Sequence, residues 1–160
     1  MDDLSIRNAR DDDAEALIAL ISEVYAEYAG QGVVFDLEEL PELKAIESHT
    51  QSGRGQFWVA EVKGRLVACI GWIPVDEAVV RIERLYVDAS ERKLGIGGRL
   101  LDHLESELKI DGPRTVELWT DTRFRAAHRF YERRGYVRGE TRQLQDKSRS
   151  AEFFYQKSLA

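Results

Sequence analysis

The sequence predicts a single mixed α/β domain covering residues 1–160, and three observations carry that expectation. A chain of 160 residues is long enough to bury one sizeable core. Strand-like apolar runs and amphipathic stretches follow one another in the order β-α-α-β-β-β-α-β-α-β-β. A glycine-rich segment also stands between an apolar run ending at Val87 and an amphipathic pattern beginning at Arg99, which marks a tight strand-to-helix passage.

Residues 4–10 alternate and read as the first strand. Asp11, Asp12 and Asp13 then supply capping and dipole-matching acids for a helix. In it Leu17, Leu20, Ile21, Val24, Tyr25 and Tyr28 recur at helical spacing, and Gly30 and Gly32 end the pattern. A second helix is expected over residues 36–48, interrupted by Pro41, and the polar stretch 49–56 reads as a loop. Residues 57–62 and 66–73 form strands joined as a hairpin at Lys63-Gly64-Arg65. A turn over 74–78 leads into a strand over 79–87. The helix over 98–109 stops at Asp111-Gly112-Pro113. A strand over 115–120, a helix over 124–134 and two late strands near 136–144 and 151–158 complete the chain.

The stretch Arg92-Lys93-Leu94-Gly95-Ile96-Gly97-Gly98 carries the most chemistry. Glycine lacks a Cβ, so an anion can come close to main-chain N–H groups at the positive end of the following helix. Arg92 and Lys93 add two cations, and the whole reads as a pyrophosphate cradle that extends to Arg99. A nucleotide P-loop is excluded because Arg99 and Leu100 follow Gly98 where Lys and then Ser or Thr are needed. A dinucleotide fingerprint is excluded because Leu100 stands where the third glycine belongs. A bare turn without a ligand remains the alternative from this segment alone.

A second pattern lies downstream in Ala127-His128-Arg129-Phe130-Tyr131-Glu132-Arg133-Arg134-Gly135-Tyr136. Gly135 can take the left-handed conformation that ends a helix, and the two arginines complement the negative helix end. The spacing Arg-x-x-Gly-x-Gly, followed by Ala-x-x-Phe-Tyr and Gly-Tyr, resembles the GNAT superfamily of N-acetyltransferases over residues 81–136. That resemblance implies a GNAT-like central mixed β-sheet of about six to seven strands flanked by about four helices. It also implies acetyl-CoA as cosubstrate, without a metal.

The resemblance further implies roles. The backbone of Leu85, Tyr86 and Val87 would pair with the pantetheine arm, with one N–H facing the acetyl oxygen. Tyr131 matches the general acid, since a phenol stays protonated at neutral pH and can protonate a leaving thiolate. Its alternative is a core tyrosine with one polar end. Glu83, two residues before Leu85 and expected on the same face, is the candidate base, with Glu117 and Asp121 as competitors. Its alternative is a salt-bridged surface acid. Phe124 and Ala127 border the cofactor arm, but Phe124 replaces the asparagine frequent in the family, leaving Thr122 or Arg123 to compensate.

Composition narrows the function classes. Three scattered histidines lack partners at metal spacing, and the single cysteine, Cys69, excludes an internal disulfide. Residues 1–61 carry a balance of −10 and residues 62–160 a balance of +4. The basic part holds the phosphate cradle, and no basic stripe interleaved with aromatics suggests nucleic acid. No apolar run suits a membrane span or a secretion signal, so a cytoplasmic location is expected. The expected function is direct acetyl transfer to a primary amine of a small-molecule or peptide N-terminal acceptor, and the acids Glu38, Glu39, Glu42 and Glu47 favour a small cationic one. Transfer of another acyl group and a non-catalytic acyl-CoA sensor are the rivals. The resemblance is compatible with a homodimer.

Overall fold

A computed structural model describes residues 3–110, 112 and 114–159. The strands are β1 Leu4–Asn8, β2 Gln56–Val62, β3 Arg65–Pro74, β4 Val79–Val87, β5 Arg114–Asp121, β6 Val137–Gln143 and β7 Ala151–Leu159. The α-helices are α1 Ala14–Ala26, α2 Ile46–Ser52, α3 Ile96–Lys109 and α4 Arg125–Arg133. They build one seven-stranded sheet in the order β1-β2-β3-β4-β5-β7-β6. Among the described residues only β4 and β5 pair in parallel; α3 makes the crossover that a parallel pair requires.

Both faces of the sheet are covered, so the core has two halves. On one face Ile96, Leu100, Leu101, Leu104 and Leu108 of α3 pack on Val80, Ile82, Val116 and Leu118, and Tyr131, Tyr136 and Tyr155 extend this cluster. On the other face Leu17, Leu20, Ile21 and Val24 of α1 pack with Leu43, Ile46, Phe57 and Val59. Both helices follow the spacing that puts one apolar stripe on a sheet. Among the described residues no helix is long and apolar enough to cross a membrane.

Local chemistry explains where the elements begin and end. The β2–β3 hairpin turns on Lys63 (φ 52°) and Gly64 (φ 78°), with Val62 opposite Arg65. Two positive φ values are what a two-residue hairpin turn demands. Gly135, at φ 90°, ends α4, and Tyr136 N donates to the Tyr131 carbonyl at 3.0 Å. The triad Asp11–Asp13 forms a 3-10 turn ahead of α1. Asp13 receives the Arg10 N–H at 2.7 Å and two bonds from Arg7, and Asp11 receives Ser48 N and Oγ.

Two expectations need correction here. The segment expected as one helix over 36–48 is two 3-10 turns, Leu37–Glu39 and Pro41–Ala45, because Pro41 lacks the N–H that a continuous helix needs. The α-helix then runs through the stretch expected as a loop, to Ser52. Buried Ile46 and Thr50, one turn apart, hold it to the sheet. Asp111 and Pro113 of the expected helix stop lie outside the described residues.

Close packing where α2 meets β3 yields a test. A Cβ on Gly55 would stand 2.0 Å from the Trp72 carbonyl oxygen, whereas one on Gly30 would meet nothing within 4 Å. Gly55→Ala should therefore lower unfolding free energy by about 1–3 kcal/mol. Gly30→Ala should leave it within about 1 kcal/mol of the parent. Urea melts of both variants measure the contrast, and equal stabilities would mean the backbone at Gly55 has room to move.

Candidate active site

A backbone irregularity opens the site. Tyr86 lies opposite Cys69 and Glu83 opposite Gly71, so β4 has one residue more than β3 between these pairs. The extra residue is a β-bulge at Arg84, which takes the left-handed conformation at φ 57°. Arg84 is held there by two hydrogen bonds to Glu42 Oε1, at 2.8 and 3.2 Å. The parallel pairing of β4 with β5 covers only Val79, Val80 and Arg81 against Thr115, Val116 and Glu117. Beyond Arg81 the strands part, β4 staying with β3 and β5 with β7. A cleft of about 850 Å³ fills the gap and reaches the start of α3.

At the α3 end, Gly95 turns the chain at φ 76° and the helix starts at Ile96. Gly97 and Gly98 thus belong to the first helical turn, and the expected glycine turn is preceded by a 3-10 turn over Ala89–Leu94. The amides of a first helical turn have no partner inside the helix. Lys93, Gly95, Gly97 and Gly98 line the cleft. Leu94, Ile96 and Arg99 do not. The Leu94 side chain is exposed, Ile96 is buried in the core, and Arg99 N already donates to the Gly95 carbonyl at 3.0 Å. A Cβ on Gly97 would meet Val87 Cγ2 at 3.4 Å, so anything longer than alanine would press into Val87 and Phe130.

Arginines gather at the same end. Arg92 lines the cleft but is held by Glu27, with both Nη atoms at 2.5 Å from its carboxylate. The Arg134 guanidinium lies where a Gly98 side chain would be, pairs with Asp102 at 2.5 Å and covers the Phe130 ring. Its place was not legible in the sequence, where Arg134 reads only as a helix-end charge.

The residues Leu85, Tyr86, Val87, Phe124, Ala127, Tyr131 and Glu83 all line the cleft. Tyr131 is packed between Tyr136 and Tyr155, at ring distances of 5.7 and 6.0 Å, and burial pushes its phenol above the ordinary value. Among the described residues its hydroxyl has no hydrogen-bond partner. Glu83 likewise has no hydrogen bond or ion pair among them. Its competitors are engaged. Glu117 receives Arg81 at 2.8 Å, and Asp121 receives both Nε and Nη2 of Arg123. Burial raises the Asp121 carboxyl, but the Arg123 guanidinium and backbone N–H outweigh it and hold it below the usual range.

The bulge overturns the expectation that Glu83 and Leu85 share a face. Leu85 and Val87 join Ile82 in the α3-side core, whereas Glu83 also borders a crevice with Glu42, Ile46 and Thr50 on the α2 side. Strand alternation fails across the extra residue. Glu83 therefore opens on the α1–α2 face and Tyr131 on the α3–α4 face, with the cleft running between them.

Phe124, in place of a polar residue, packs on Tyr28 with ring centroids 4.6 Å apart and planes tilted by 45°, and closes one side of the cleft. Arg123 does not take over a polar role there, because Asp121, Gln31 and Ser148 use its donors. The far end of the cleft contains Trp119, with Arg142 stacked on its ring at 4.1 Å and bonded to Glu152 at 2.8 Å. This pair depends on the β6–β7–β5 register, which no local sequence pattern encodes.

A model of the acetyltransferase (GNAT) family matches residues 17–136. The Xenopus tropicalis protein named Probable N-acetyltransferase 14 is 31% identical over 98 residues, covering 60% of this chain and 48% of that protein. The chain spans about half the length of the curated relatives it matches. A GNAT-family acetyltransferase structure from Staphylococcus aureus superposes with a TM-score of 0.82 at 24% identity, covering 98% of this chain and 99% of that one. An aminoglycoside 6'-N-acetyltransferase complexed with coenzyme A gives 0.71 at 19% identity, with 98% and 97% covered. These likenesses establish the fold.

The Asp121–Arg123 pair gives a pH test. A carboxyl whose folded value is depressed stabilises the fold above its unfolded value, and that contribution fades as pH falls through the folded one. Asp121→Asn should cost about 1–3 kcal/mol at neutral pH. The gap to the parent should shrink below pH ~3.9, where the unfolded carboxyl is protonated and the folded one follows. Denaturant melts at neutral and acidic pH measure it; a gap independent of pH would mean that the pair contributes no ionic stabilisation.

Proposed function

The chain belongs to the GNAT family of acetyltransferases, and from that premise we propose that it moves an acetyl group from acetyl-CoA to the primary amine of a small cationic acceptor. The observation that carries this reading is the Tyr131 hydroxyl, unpartnered among the described residues and bordering a cleft that begins at the amides of α3. The residues present suit the cosubstrate. The first α3 turn and Lys93 fit the pyrophosphate, and the parted edge of β4 leaves main-chain groups of residues 85–87 for the pantetheine arm.

In the proposed reaction the amine enters from the α1–α2 face, where Glu83 takes a proton from the ammonium. The amine nitrogen attacks the thioester carbon, a β4 backbone N–H steadies the oxyanion, and the C–S bond breaks. Tyr131 then protonates the departing thiolate, its raised phenol value keeping the proton available at neutral pH, while the second proton shed by the amine nitrogen passes to water and the phenolate recovers one from solvent. Direct transfer is favoured over an acetyl-enzyme. The Cys69 thiol is fully buried, bonded to the Arg84 carbonyl at 3.1 Å and pushed up to about 12 by burial.

The cationic acceptor rests on which charges remain unpaired. Arg81, Arg84 and Arg142 in the cleft are each paired with a carboxylate, to Glu117, Glu42 and Glu152. Glu39, Glu83 and Asp146 line the cleft with no ion-pair partner among the described residues. The acidic field expected from Glu38, Glu42 and Glu47 is thereby narrowed, since Glu42 is taken by Arg84 and the other two do not line the cleft.

An acceptor screen with acetyl-CoA, read by thiol release, tests the reading. Small amines with a second positive charge should exceed carboxylate-bearing ones in kcat/KM, and their advantage should fall as salt rises. Preference for an anionic acceptor would remove the assignment. With the best acceptor, Tyr131→Phe should lower kcat by roughly ten- to a thousandfold while leaving acetyl-CoA affinity nearly unchanged. Glu83→Gln should lower the rate and erase the acidic limb of the pH profile. An unaltered limb would assign the proton to water.

A further inference from the structure

The segment that follows α1 borders the cleft through Tyr28, Val33 and Val34 and touches both walls. Glu27 at its start accepts from Nη1 and Nη2 of Arg92, whose Nε donates to the Val87 carbonyl at 3.0 Å. Tyr28 packs against Phe124 in a tilted ring contact, the Gln31 carbonyl accepts from Arg123 at 3.1 Å, and Val34 N donates to Ser148 Oγ at 2.8 Å. Residues 27–34 are thus fastened to the loop entering α3 on one side. On the other they are fastened to the β5–α4 and β6–β7 connections.

The Arg92–Glu27 pair sits where an anionic ligand is expected, yet contributes little to holding the fold. Its side chains are 37% and 35% exposed, and ion pairs so exposed are weak. The position of α1 is secured by Leu17, Leu20, Ile21 and Val24, which are buried without it. Three of the five guanidinium donors are occupied in this arrangement. A pyrophosphate brings more negative charge than one carboxylate and also meets the α3 amides, so it can displace Glu27.

We propose that Glu27 is a resident counter-ion that yields Arg92 to the pyrophosphate of acetyl-CoA and takes it back as CoA leaves. The exchange releases the β4-side fastening of residues 27–34 while Phe124, Arg123 and Ser148 retain the other side. Cofactor exchange and the wall shared with the acceptor then change together, and by linkage each changes the other's affinity by the same factor. This inference rests on the acetyl-CoA reading of the cleft.

Calorimetry on the parent and on Glu27→Gln, with coenzyme A and with phosphate-free S-acetylpantetheine as probes, tests it. Glu27→Gln should bind coenzyme A roughly two- to fivefold more tightly, the scale of an exposed ion pair, and S-acetylpantetheine no differently. Hydrogen exchange in the parent should speed up over residues 27–34 when coenzyme A binds, while α3 amides slow down. Unchanged or weaker coenzyme A affinity in a folded Glu27→Gln variant would overturn the proposal. So would an equal gain for S-acetylpantetheine, or slower exchange over 27–34 in the parent. A parent that binds no coenzyme A would instead refute the underlying reading, which separates the two failures.

Discussion

The structure turns on one extra residue in β4. Arg84 adopts a left-handed backbone that a residue with a Cβ rarely takes, and such strain persists only where surroundings over-determine it. Glu42 fixes its guanidinium and Cys69 Sγ donates to its carbonyl. The resulting bulge bends β4 away from β5 after three paired residues. Without it the parallel ladder could continue, and the main-chain groups bordering the cleft would be consumed by sheet pairing. The cleft is therefore a property of strand pairing before it is a property of any side chain.

Charge pairing then sorts the residues around that opening. Most ionic groups in the cleft hold one another in fixed partnerships, as in Arg81–Glu117, Arg123–Asp121 and Arg142–Glu152. A carboxylate with a guanidinium partner is a poor proton acceptor, because the partner stabilises its charged form. The groups left over among the described residues are few: Glu83, Glu39 and Asp146 among the acids, and Lys93 and Arg133 among the cations. Their positions divide the cleft into an anionic region near the α1–α2 face and a cationic one at α3. That polarity suits two reactants of opposite charge approaching from opposite faces.

Much of the fold was legible because periodicity reports burial directly. The α3 stripe and the alternation in β5 each point to one face, and the Lys63-Gly64 hairpin follows from turn chemistry. The glycine segment and the Phe130-Tyr131 helix also pointed to residues that line one cleft. What escaped notice depends on geometry that local sequence does not carry. Nothing in Glu83-Arg84-Leu85 announces a bulge, so period-two reasoning put Glu83 on the wrong face. Arg92 read as a free cation because Glu27 lies 65 positions away, and Arg134 read as a helix-end charge although it folds back onto Gly98.

The corrected face of Glu83 makes the proposed chemistry more coherent. An acid and a base on one side of a narrow cleft would share solvent and compete for the same proton. Here the sheet separates them. Tyr131 is set among aromatic rings whose low polarity favours the neutral phenol, as an acid must be before transfer. Glu83 lies half-buried on the other face, bordering both the main cleft and the α2 crevice, with no ionic partner among the described residues. The bulge that parts β4 from β5 is also what turns Glu83 away from Leu85. One backbone irregularity thus opens the passage and separates the two proton-transfer groups proposed to act across it.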